Sequence, residues 1–85
     1  MPKKYSLEKD KIKVILLEGI HKSAEDFFRA NGYNNIESFP SALDDALLME
    51  KIKSANIIGI RSRTQLTKEI LSNAGKLLAV GCFSI

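Results

Sequence analysis

From Asn56 to Ile60 the chain runs Asn-Ile-Ile-Gly-Ile, and the next four residues are Arg61, Ser62, Arg63 and Thr64. A short, continuous apolar run rich in β-branched residues is the pattern of a strand buried on both faces, as in the parallel sheets of α/β proteins. This one stops abruptly at two arginines flanking a serine. In open parallel sheets, ligands bind in the crevice outside the carboxyl ends of the strands. A guanidinium there can fork onto phosphate or carboxylate oxygens. The stretch therefore predicts an inner strand that delivers the cationic donors of Arg61 and Arg63 to the edge of a sheet, an anion-binding half-site.

A second run of the same kind, Lys13-Val14-Ile15-Leu16-Leu17, predicts a first strand over roughly Ile12 to Glu18. Gly19 and Ile20 turn the chain. Ser23 then caps a helix in which Ala24, Phe27, Phe28 and Asn31 follow helical spacing, with both aromatics on the buried face and Gly32 as the stop. Asn35 to Phe39 alternates apolar with polar residues, as an edge strand does. Pro40 and Ser41 open a second helix, where Ser41 and Asp44 form a near capping box and Leu43, Leu47, Leu48, Ile52 and Ala55 make the buried stripe. Asp44 and Asp45 in its first turn and Lys51 and Lys53 near its last suit the helix dipole. Thr67 caps a third helix, stapled by Leu66 and Leu71 and ended by Gly75, and Leu77 to Val80 is a fourth strand.

Four strands alternating with three helices over short connections imply right-handed crossovers. The fold class is α/β, a parallel four-stranded sheet of order 2-1-3-4 with helices on both faces. That order puts the alternating second strand at an edge and the two most apolar strands inside. The fourth strand is apolar throughout, lacks a charged or proline guard, and leads to Cys82, Phe83 and Ile85. We expect the chain to be cut short, with another strand or a partner surface covering this side, and we expect a homo-oligomer.

Composition bounds the rest. The 85 residues allow one domain with a modest core, preceded by a polar arm over residues 1–11. Hydrophobic residues at 45% and charged residues at 27% exclude disorder. A net charge of +3 with 13 basic residues spread along the chain argues against a nucleic-acid footprint. The single cysteine, Cys82, excludes an internal disulfide and a cysteine metal cluster and fits a reducing cytoplasm. Its apolar neighbours favour an inert thiol. The basic N-terminus leads into Glu8-Lys9-Asp10-Lys11 and not an apolar signal core, and no run reaches the roughly 18 apolar residues of a membrane span. His21, the one histidine, lacks the spacing of a triad or a metal site and reads as a loop residue. The five glycines never make the GxGxxG spacing of a dinucleotide turn.

Four stretches carry a resemblance: Ser6 to Lys13, Ala42 to Asp45, Ile58 to Thr67, and Leu78 to Phe83. Together they resemble the N-terminal portion of the D-isomer-specific 2-hydroxyacid dehydrogenases, over essentially the whole chain, and the block from Arg61 to Thr67 is the most specific. The resemblance implies that residues 12–85 are the N-terminal part of a flavodoxin-like substrate-binding domain, ending before an inserted Rossmann domain, with a serine-sensing regulatory domain further on. It implies a cytoplasmic oxidoreductase that uses NAD to oxidise 3-phosphoglycerate to 3-phosphohydroxypyruvate, at the head of L-serine biosynthesis. The family's catalytic histidine, its acidic partner and its catalytic arginine match nothing in this chain, so these 85 residues alone are expected to be inactive. Arg61, Ser62 and Arg63 do match, and the implied role for them is contact with the substrate's phosphate or carboxylate. Pro40 stands where some relatives place a basic residue, and it cannot bind an anion through its side chain. Without the resemblance, a freestanding anion-binding or regulatory module remains open. A receiver-like signalling domain does not fit, because it needs an aspartate where Arg61 stands.

Overall fold

The computed structural model describes residues 9–83. Most of the expected polar arm, residues 1–8, and the apolar end at Ile85 lie outside the described residues. Lys9–Lys11 form a single 3-10 turn, after which come β1 (Val14–Leu16), α1 (Lys22–Ala30), β2 (Ile36–Ser38), α2 (Asp45–Ile52), β3 (Ile57–Ile60), α3 (Lys68–Leu71) and β4 (Ala79–Cys82). All neighbouring strands are parallel, and the sheet order is β2-β1-β3-β4, the order expected from the sequence.

The register aligns Leu16 with Ser38 on one side and Gly59 on the other, and Ile60 with Cys82. The chain therefore leaves every strand at the same end of the sheet. Side chains of β1 alternate between two cores. Ile15 and the following Leu17 pack with Leu48 and Ile52 of α2, Ile58 and Ile60 of β3, and Ile70 of α3. Val14 and Leu16 pack on the opposite face with Ile12, Ile20, Phe28, Tyr33, Ile36 and Ile57. Helices thus cover both faces, α1 on one and α2 and α3 on the other. This is why the two inner strands need no polar residue.

Three apolar pairs correct the expected packing. Phe28 is half-buried but Phe27 is 64% exposed; Leu48 is buried but Leu47 is 41% exposed; Ile70 is buried but Leu71 is 43% exposed. Consecutive helical residues stand about 100° apart around the axis, so a short helix seats only one of each pair against the sheet. The Leu66–Leu71 staple fails for this reason: Leu66 packs on the core beside Ile70 and Leu71 turns outward.

Two caps also differ. The N-cap of α1 is His21, whose Nδ1 accepts the Ser23 N–H at 3.0 Å, so Ser23 lies inside the helix. The N-cap of α2 is Asp44, whose carboxylate accepts the Leu47 N–H at 2.8 Å, so Pro40 and Ser41 belong to the preceding loop. A carboxylate at this position both accepts the hydrogen bond and meets the positive end of the helix dipole. Thr67 caps α3 as expected, accepting from Ile70 N–H at 3.2 Å. That helix stops at Leu71, short of Gly75, and β4 begins two residues later than expected.

Polar contacts fix the edges. Glu37 on β2 sits between Lys51 of α2 at 2.9 Å and Lys13 at 3.2 Å. The Lys51 hydrogen bond, opposed by burial and reinforced by Lys13, holds the Glu37 carboxyl below the ordinary glutamate value. At the starts of the strands, Asn56 accepts Lys13 N–H at 2.8 Å and donates to the Lys76 carbonyl at 3.0 Å, tying together β1, β3 and β4.

Candidate functional site

The candidate site is built at the exits of β1 and β3. Leu17 N–H still pairs with the Gly59 carbonyl at 2.9 Å, and the chain then turns through Glu18 (φ +67°) and Gly19 (φ +64°). Left-handed backbone is open to glycine but costs a glutamate free energy. At Gly19 a side chain would also crowd the Pro40 carbonyl, 3.2 Å from the position of a β-carbon. The turn is tied to the loop after β2, with Gly19 N–H donating to Phe39 at 2.9 Å and Glu18 N–H to Ser41 at 3.2 Å.

This turn aims the Glu18 side chain across the strand ends into the Arg61–Thr64 loop. One oxygen, Oε2, accepts the Arg61 and Thr64 N–H groups at 2.9 Å each, and Oε1 accepts the Arg63 N–H at 2.8 Å. Desolvation pushes the carboxyl up, but the Thr64 side chain and the three backbone N–H groups outweigh it and hold the group at about 2. The buried Thr64 hydroxyl does not meet hydrogen-bond geometry, so it acts as a nearby dipole and not as a fourth formed bond.

Beside this turn lies a cleft of about 490 Å³, lined by Gly19, Ile20, His21, Ser23, Ala24, Phe27, Phe28, Arg61 and Phe83. The walls are mostly apolar, and Arg61 is the cationic residue among them. Arg61, Ser62 and Arg63 are all exposed at the exit of β3, but Arg61 alone of the three lines the cleft. His21, expected to be an idle loop residue, lines it too while capping α1. Pro40 contributes its carbonyl to the packing under Gly19 and is absent from the lining. Cys82 is exposed at the end of β4. The arrangement suits a small ligand with an anionic group at the Arg61 end and a less polar body between Phe27, Phe28 and Phe83.

Sequence reasoning missed Glu18 and treated it as the last residue of a strand. The available signal was an acidic residue directly after a fully apolar strand and directly before a glycine, a place where a solvated strand end has no need of charge.

The Arg61–Thr64 loop is not an open pyrophosphate cradle. A pyrophosphate needs free backbone N–H groups at a βα turn. The turn after β1 carries the Glu18 carboxylate, and the N–H groups of Arg61, Arg63 and Thr64 after β3 are already engaged by it.

A parallel sheet with an arginine-bearing exit beside an apolar cleft is an α/β fold with a candidate anion site, and the sequence says to which family it belongs. Residues 14–85 match the family model "D-isomer specific 2-hydroxyacid dehydrogenase, catalytic domain", and the chain belongs to that family. Among its relatives is the D-3-phosphoglycerate dehydrogenase of Escherichia coli (strain K12), 55% identical over 82 residues that cover 96% of this chain and 20% of the relative. The D-3-phosphoglycerate dehydrogenase of Haemophilus influenzae is 53% identical over 85 residues, covering 100% of this chain and 21% of the relative. That of Dictyostelium discoideum is 48% identical over 80 residues, covering 94% and 19%. The chain thus spans about a fifth of the length of the curated relatives it matches.

Proposed function

We propose that the complete protein containing this chain is an NAD-dependent oxidoreductase that converts 3-phosphoglycerate to 3-phosphohydroxypyruvate, opening L-serine biosynthesis. In that reaction the C2–H hydride goes to NAD and the hydroxyl proton is released, so a ketone replaces the alcohol. This chain supplies part of the substrate-binding domain. The observation that carries the reading is Arg61, held at the exit of the rigid β3 and facing an apolar cleft, in a chain 55% identical to a D-3-phosphoglycerate dehydrogenase.

The substrate has a phosphate at one end and a carboxylate at the other. Arg61 is the direct anion contact, with Ser62 and Arg63 as supporting donors. A bidentate guanidinium suits either group. NAD binds elsewhere in the complete protein, since three of the four amides of the Arg61–Thr64 loop are already held by Glu18. The reading includes a cytoplasmic enzyme and a homo-oligomer. The oligomer is supported by Leu78, just before β4, and Val80 within it, exposed at 62% and 43% beside a strand with one neighbour among the described residues. The deciding experiment is NADH formation by the purified complete protein with 3-phosphoglycerate and NAD, with unphosphorylated glycerate as the control. Turnover that depends on the phosphate is expected; no NADH from 3-phosphoglycerate overturns the assignment.

A further inference from the structure

We infer that Glu18 is the positioning residue of the substrate-binding loop: its carboxylate occupies the ring of backbone N–H groups at Arg61, Arg63 and Thr64, so anion recognition is left to the guanidinium side chains. The inference rests on the reading of Arg61 as a substrate contact and adds the residue that sets its geometry.

Three converging backbone N–H groups at a strand exit form a concavity that binds anions by itself. Here it is filled from within the chain, at 2.8 to 2.9 Å, by a side chain from a different strand end. Of the four loop residues, Ser62 is the one whose N–H has no partner among the described residues. A substrate phosphate approaching this loop therefore meets Arg61 and its neighbours as side chains and finds no open amide nest.

The tie also restricts motion. Oε2 holds the first and last residues of the loop and Oε1 holds the third, so the loop cannot rotate about the β3 axis without breaking at least one charge-assisted bond. Arg61 thus leaves the strand in one direction, toward the cleft. The strained backbone of Glu18 supports this role. At φ +67°, a glycine would fit the turn better, and what glutamate adds there is the carboxylate.

The test uses the complete protein and two variants. Glu18→Gln keeps the shape but loses the charge and one acceptor oxygen. Glu18→Gly relieves the backbone and removes the tie entirely. If Glu18 served only the turn, Glu18→Gly would be neutral or better in every assay. We expect instead that KM for 3-phosphoglycerate rises about tenfold in Glu18→Gly and by less in Glu18→Gln, with kcat and KM for NAD within about twofold of wild type, because the loss falls on anion positioning. Hydrogen exchange should quicken about tenfold at the amides of Arg61, Arg63 and Thr64 but stay unchanged at Ile58.

An unchanged KM for 3-phosphoglycerate alongside faster loop exchange overturns the link to substrate, and unchanged exchange overturns the tie itself. Glu18→Gln carries both measurements should Glu18→Gly not fold. Wild-type protein that turns over no 3-phosphoglycerate sinks the proposed function alone. Glu18 is then judged by exchange, where faster loop amides uphold its positioning role and unchanged ones reject it.

Discussion

Leu16 and Gly59 face each other across the β1–β3 pair so closely that a β-carbon on Gly59 would stand 2.8 Å from Cδ2 of Leu16. The same atom would lie 3.0 Å from the Phe83 ring and 3.1 Å from the Ile20 side chain. Leu16 is buried and cannot swing away. Gly59→Ala is therefore expected to destabilise the fold by about 1 to 3 kcal/mol, the usual cost of overpacking a core. Gly75, with nothing within 4 Å of its β-carbon position, is the control. Gly75→Ala should shift the urea midpoint by less than about 0.5 kcal/mol equivalent.

The second prediction concerns the cleft. In the complete protein, Arg61→Ala should lower kcat/KM for 3-phosphoglycerate by the equivalent of about 1.5 to 3 kcal/mol, the worth of a charge-assisted hydrogen bond. Arg61→Lys should recover only part of this, because an ammonium retains the charge without the fork. Steady-state kinetics at saturating NAD decide the matter. A specificity constant left untouched by Arg61→Ala would remove the anion contact from this loop.

Acid stability supplies the third. Glu18 is held at about 2 in the folded chain against an ordinary value of 4.5. On acidification the unfolded chain takes up its proton first. The stabilisation from Glu18 is thus complete above about pH 4.5 and lost as pH falls toward 2, and Glu37 shifts in the same direction. After allowance for solvent screening, the Glu18 contribution is on the order of 2 kcal/mol. Urea unfolding at about pH 5 and about pH 3 should show a smaller loss of stability in Glu18→Gln than in wild type. Equal losses in the two proteins would count against the tie as drawn.

The fourth separates two candidate caps of α2. Asp44→Ala removes the acceptor for Leu47 N–H and should cost about 1 kcal/mol. Ser41→Ala should cost less than about 0.5 kcal/mol, because Ser41 is held through its backbone carbonyl, which accepts from Glu18 and survives the change. Thermal unfolding of both variants gives the comparison, and the reverse order would restore Ser41 as the cap.

The features legible in the sequence were those that period and composition encode. Two unbroken apolar runs place β1 and β3 inside a parallel sheet, since such a strand buries both faces only with helices on each side. The alternation from Asn35 to Phe39 marks β2 as an edge, and Thr67 announces its helix because a capping hydroxyl accepts from an N–H only three residues further on. The Arg61-Ser62-Arg63 segment could be placed at a strand exit for the same local reason.

What only the tertiary structure decided are the contacts that depend on orientation and on distance along the chain. Phe27 against Phe28, Leu47 against Leu48, and Ile70 against Leu71 are equivalent by hydropathy. Which member faces inward is set by how a short helix rolls onto the sheet, a rotation that no local pattern contains. Glu18 is the stronger case. Its partners lie 43 to 46 residues away, and they come within reach only because β3 settles beside β1 and the turn at Glu18 takes a left-handed backbone that its residue type disfavours. A carboxylate read along the chain is a polar strand end. Set across two adjacent strand exits, it becomes the anchor of the loop that carries Arg61.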